Sequence, residues 1–215
     1  MSNAYNASLQ ENFELTFLGS IYRHLEADKD KFNGDIDLLL RAEFALTLGA
    51  FDDYLHQIML EHMVKMFSLE LDATNAFNSF EISIDAVLNI QKENDVERKK
   101  DTFRKYVSEA IRHDSYLSGK GIKWVKQMIG IKNNIWETSG KKLEKTADEV
   151  KTAFNKAVWR RNAIVHEMDM NKSTGSKNPI TKDEVDELIK LVLVIRSCIE
   201  KESSEIIKKA TQTDI

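Results

Sequence analysis

An all-α fold, a helical bundle in a single domain over residues 1–215, is predicted by three observations. Turn formers are scarce, with eight glycines and one proline, Pro179, in 215 residues, which leaves too few turns for a many-stranded sheet. Apolar residues recur at helical spacing along most of the chain. Two Thr-x-x-Glu capping boxes, Thr146 with Glu149 and Thr181 with Glu184, mark helix starts.

The elements follow in order. Leu9, Phe13, Phe17, Leu18, Ile21 and Leu25 predict a first helix over 8–29. After Gly34 and Asp35 comes the most apolar segment, Ile36 to Phe67, whose circumference is apolar nearly all round, as in the central helix of a bundle. Residues 70–95 read as an irregular insertion. Their "SFEISIDAVLNI" alternates briefly as a strand would, but a lone strand is unstable, so a loop with a short helix is expected. A helix over 96–112 carries Phe103, Val107 and Ile111 on one side. "SGKGIKWVKQMIGI" then predicts a short helix stopped by Gly130 in a left-handed cap, with Ile131 packing back. The last two long helices begin at the capping boxes, separated by the loop "NKSTGSKNP" at 171–179.

Composition narrows the function classes. A 42% hydrophobic and 31% charged chain is a soluble globular one. Cys198 is the only cysteine, so no internal disulfide and no Cys-x-x-Cys zinc site can form. That suits a reducing compartment, and a cytoplasmic location is expected. The first fifteen residues are polar, unlike a secretory signal, and apolar runs such as "LVLVI" at 191–195 are too short to span a bilayer. No membrane partner is expected. The net charge of −4 discourages a nucleic-acid reading, yet Lys120 to Asn162 holds eleven Lys or Arg against four Asp or Glu. A basic segment inside an acidic chain is an electrostatic footprint for a polyanion, or else a lysine-rich solvated face.

The chemistry concentrates in "VWRRNAIVHEMD", residues 158–169. Stepping about 100° per residue along the helix from Ala147 to about Met168 puts Val150, Phe154, Ala157, Val158, Ile164, Val165 and Met168 in one stripe, with Arg161 at its centre. A guanidinium is costly to bury without a partner. Either a carboxylate from another helix meets Arg161, with Asp52 or Asp53 as candidates, or the stripe opens there onto a cleft or a subunit interface. Asn162 and His166, four residues apart, share one flank with Trp159. An amide, an imidazole and an indole beside two arginines can hold a phosphate, move a proton and stack on a base.

"RRNAIVH" resembles the signature of HEPN domains, an Arg, a polar residue such as Asn, and a His after four to six intervening residues. The chain is similar in particular to the RiboL-PSP type, over roughly residues 35–200 with 70–95 poorly matched. That type tends to show an apolar second helix like "RAEFALTLGAFDDYLHQIM" and a short helix and tryptophan like "IKWVKQMIGIKNNIW" before the motif. The resemblance implies a HEPN-like helical bundle acting as a metal-independent endoribonuclease, commonly in toxin–antitoxin or phage-defence settings. It places Arg161 and His166 in the catalytic positions and Asn162 in the polar one. The family also contains catalytically silent scaffolds.

RNA cleavage without metal drives a 2′-hydroxyl onto the adjacent phosphorus. It needs a base, an acid and positive charge on the equatorial oxygens. Histidine, with an ordinary pKa of about 6.5, serves either proton role. Arginine offers a fixed fork of donors. Arg160, Trp159 and Lys156 are expected to bind substrate, and neither a metal nor a cofactor is called for. One protomer supplies one motif histidine, so a homodimer with a composite site is expected, as is typical of the family. RNA and a cognate antitoxin are the other expected partners. His24, His56 and His62 are expected to be packed or surface residues, and Tyr54 and Trp136 core aromatics. The rival reading is a non-enzymatic scaffold or antitoxin-like module that dimerises through the same stripe. Such a module would bury Arg161 against a carboxylate, whereas an enzyme would leave Arg161 and His166 open.

Overall fold

The computed structural model describes residues 17–28 and 35–213, and among these every regular element is an α-helix. Helix α1 occupies 17–26, and the predicted positions Leu9 and Phe13 lie outside the described residues. It is followed by α2 (Asp37–Phe67), α3 (Asn75–Asn78), α4 (Ile84–Lys92), α5 (Val96–Ile111), α6 (Gly119–Ile129), α7 (Ile135–Leu143), α8 (Ala147–Glu167) and α9 (Lys182–Thr213). The insertion at 70–95 contains two short helices and no strand. Thr74 and Ser83 start them by accepting hydrogen bonds from the amides of Phe77 and Ala86. Helix α7 is an element that hydrophobic spacing alone did not separate. Its start is set by Asn134, whose side chain accepts from the Trp136 amide.

Both predicted capping boxes are formed. Thr146 Oγ1 accepts from the Glu149 amide, and the Glu149 carboxylate accepts from the Thr146 amide at 2.8 Å. Thr181 and Glu184 make the same reciprocal pair at 3.1 and 3.2 Å. Gly130 stops α6 at φ 84°, a conformation that costs glycine little, and Ile131 is buried behind it.

The described residues cluster into two compact units, with the ranges of α2 and α9 divided between them after Phe51 and Cys198. In one unit, residues 52–133 and 199–213, the core is built on Leu55, Ile58, Met59, Val107, Ile122 and Met128. Phe67 stacks flat on Phe103 with centroids 4.2 Å apart. His62 is buried, its Nε2 2.7 Å from Ser203 Oγ, and burial pushes its pKa down to about 4. His56 sits between two backbone carbonyls, those of Asp52 and Ile111, against the Tyr116 ring. Both side chains are packed, His24 is exposed, and Tyr54 is buried, as expected.

The other unit, residues 17–51 where described and 134–198, carries the motif. Its core includes Leu40, Phe44, Leu48, Ile135, Leu188 and Ile195. Phe154 of α8 meets Phe51 edge-on at 5.9 Å, and Trp136 tilts against it at 5.5 Å. Edge-on aromatic pairs add to the stabilisation that burial alone provides. At Gly140 a Cβ would collide with the Lys145 carbonyl, so only glycine lets the end of α7 close onto the turn that leads into α8.

Candidate active site on helix α8

The stripe on α8 splits in two. Val150, Phe154 and Ala157 are buried, and from Val158 to Met168 no residue is. Val165 is 49% and Met168 61% exposed. The stripe that the sequence reads as continuous therefore faces the core for its first three turns and then opens outward. Arg161 lies just past this point, half-buried. Its Nη1 donates to the side-chain oxygen of Asn162 at 3.1 Å, and its Nε is shielded from solvent without a partner. Among the described residues no carboxylate stands within ion-pair distance of it. Asp52 is taken by the Tyr116 amide at 2.8 Å and by Ser115 Oγ at 2.9 Å. Of the two arrangements open to Arg161, the structure has the outward one.

Asn162, His166 and Trp159 are exposed, Trp159 by 71%. Their spacing puts them on one flank of α8, a helical step away from Val158, Arg161 and Val165. Asn162 and His166 share that flank, while Arg161 lies about 140° round the helix from His166. Trp159 also lines, with Lys156 and Arg160, a cleft that involves α2, α7 and α9.

Arg160 has a second occupation. Its Nη2 donates to Asp169 Oδ2 at 2.8 Å and to the Pro179 carbonyl at 2.8 Å. Asp169 is fully buried and also accepts from Arg41 Nε at 3.1 Å, while Asn178 Nδ2 reaches its other oxygen at 3.2 Å. Arg41, itself buried on α2, gives Nη2 to the Asn178 carbonyl at 2.8 Å. A buried carboxylate between two guanidiniums and an amide has its lone pairs satisfied and its charge compensated, the condition under which burying it is tolerable. This cluster ties the end of α8 to α2 and to the loop before α9. Met168 and Asp169, at φ 53° and 58°, make the left-handed turn that points the carboxylate inward.

Sequence reasoning missed Asp169 and Arg41. A signal was there: a lone arginine in the most apolar helix requires an anion, and Asp169 follows the motif directly. Among the described residues no group of three or more His, Cys, Asp or Glu side chains could hold a metal ion, and no helix is long and apolar enough to cross a membrane.

Residues 14–205 match the model of the RiboL-PSP-HEPN family, and the chain belongs to that family. Nothing among curated proteins or solved structures matches it.

Proposed function

We propose that this member of the RiboL-PSP-HEPN family is a metal-independent endoribonuclease in which Arg161, Asn162 and His166 act on the scissile phosphate. The reading is supported by one observation: Arg161 has no carboxylate partner among the described residues, bonds the exposed Asn162, and lies five residues before the exposed His166 on the outward half of α8. A scaffold that buried Arg161 against a carboxylate of its own chain would show that pair.

In the proposed reaction the 2′-oxygen attacks phosphorus and the bond to the 5′-oxygen breaks. A base takes the hydroxyl proton and an acid protonates the departing 5′-oxygen, leaving a 2′,3′-cyclic phosphate and a 5′-hydroxyl. The Arg161 guanidinium donates to the equatorial oxygens as their charge grows. Asn162, by accepting from Arg161, fixes the direction of that fork. A second copy of the chain, packed two-fold across the outward half of α8, supplies the second histidine, and Val158 and Val165 supply its apolar contacts. A setting in toxin–antitoxin or phage defence, with a cognate antitoxin covering the site, is part of the same reading.

End-labelled RNA incubated in EDTA with the parent protein and with His166→Ala, matched for helicity and oligomeric state, tests it. The parent is expected to leave cyclic-phosphate ends and the variant to be slower by about 10² or more. Equal cleavage by both, or none by the parent on tRNA, mRNA and ribosomal RNA, overturns the ribonuclease in favour of the scaffold.

A further inference from the structure

Beside the motif lies a cleft of about 530 Å³ that the proposed chemistry does not use. Its floor is apolar, built from Phe44, Ala153, Ala157, Leu188 and Leu191. Its edge carries Trp159 and three exposed lysines, Lys145, Lys156 and Lys190, none of whose side chains has an ion pair or hydrogen bond among the described residues. Arg160 is paired with Asp169, and Glu184 and Glu187 are the acids against the three lysines, which leaves the edge a small positive excess.

A cavity of this size suits a small aromatic group with its polar attachments. An apolar floor under an exposed indole offers a face for a flat ring, and surrounding ammonium groups offer charge to an anion joined to that ring. A nucleobase carrying its phosphate has both parts. Trp159 is shared between this cleft and the flank that holds Asn162 and His166. His166 is two helical turns farther on, about 10 Å along the axis. A strand with its phosphate at His166 therefore has a neighbouring nucleotide within reach of the cleft.

We propose that this cleft is a base-specificity pocket, taking one unstacked nucleobase of the RNA next to the cleaved bond, with Trp159 stacking on it and Lys145, Lys156 and Lys190 holding the adjoining phosphates. The assignment rests on the ribonuclease reading of α8. Sequence-selective RNA recognition generally works on splayed, single-stranded bases of this kind.

The test uses the His166→Ala chain, in which cleavage is expected to be slowed, and fluorescence anisotropy with single-stranded oligoribonucleotides that each carry one abasic position. One position is expected to weaken binding about ten-fold or more. In Ala153→Phe, which fills the cleft, that position should matter less than two-fold. Trp159→Ala, at an exposed site, should show the same loss of discrimination should Ala153→Phe not fold. Lys190→Glu should weaken every strand alike. No privileged position in the His166→Ala chain, or one that persists unchanged in both cleft variants, overturns the pocket. Free nucleoside 5′-monophosphates form a second arm. Saturable quenching of Trp159 by them without a privileged RNA position would reassign the cleft to a free nucleotide and overturn the proposal. The two readings fail separately. Cleavage by the parent without a privileged position removes the pocket alone, whereas a privileged position without cleavage removes the ribonuclease and leaves an RNA-binding pocket.

Discussion

Residues 147–157 and 158–167 form one continuous helix, yet they are stabilised in different ways. The first half is held by what it buries: a capping box at its start, then Val150, Phe154 and Ala157. The second half has only half-buried and exposed side chains and is tied at its far end, where Arg160 and Arg41 close on Asp169. A helix supported at both ends needs less packing in between, because its backbone hydrogen bonds keep the intervening turns in register. Side chains on those turns are then available for binding while remaining fixed in position. A loop could expose the same residues but would not hold Asn162 and His166 four residues apart on one flank.

The contrast can be broken from either end. Phe154→Ala removes the ring that Phe51 and Trp136 pack against, and should cost about 3–5 kcal/mol in denaturant unfolding. A cost under about 1 kcal/mol would mean that the first half is not the anchor. Asp169→Asn leaves the partly buried Arg160 without an anion and the buried Arg41 with only Asp35, 3.8 Å away, and about 3 kcal/mol should be lost. Amide exchange should then rise first over 158–168. Uniform exchange along α8 would show that the far anchor does not support the motif.

The same division between buried and exposed separates two histidines. His62 has its pKa lowered to about 4 by burial, so the unfolded chain binds its proton more readily than the folded one. Its contribution is complete above its ordinary pKa of about 6.5 and is lost as pH falls from there toward 4, at up to about 1.4 kcal/mol per pH unit. His62→Gln should flatten that slope; an unchanged slope would place the acid sensitivity elsewhere. The smallest effect on folding belongs to the outward half of α8. Val165→Asp should change stability by no more than about 0.5 kcal/mol, while sedimentation shows loss of the proposed dimer. A large fall in melting temperature would mean that Val165 is packed within its own chain.

Much of this was legible in the sequence. Thr146, Thr181 and Gly130 announce their helix ends because capping is a local interaction between neighbouring residues. The motif residues were legible by type and spacing, and their common flank follows from helical periodicity. The change along the stripe was not, since Val150 and Val165 are the same residue in the same phase, and only the rest of the fold decides which is covered. Helix α7 was hidden for a related reason: it is short and starts on one asparagine rather than on a periodic pattern. Asp169 escaped because its importance comes from Arg41, 128 residues away.

Arg160 and Arg161 are adjacent and identical, and either one, counted forward to His166, satisfies an arginine–histidine signature with a tolerated gap. Their constraints come from opposite directions. Arg160 answers to its own chain: a lysine there would have to reach both Asp169 and the Pro179 carbonyl from a single nitrogen on a flexible stem, and Arg41, Asp169 and Arg160 are free to diverge only together. Arg161 has only its neighbour Asn162 as a hydrogen-bond partner among the described residues and makes no comparable demand on the fold. Among relatives of this chain, substitution at 160 should track the residues at 41 and 169, and under the proposed function substitution at 161 should go with loss of RNA cleavage.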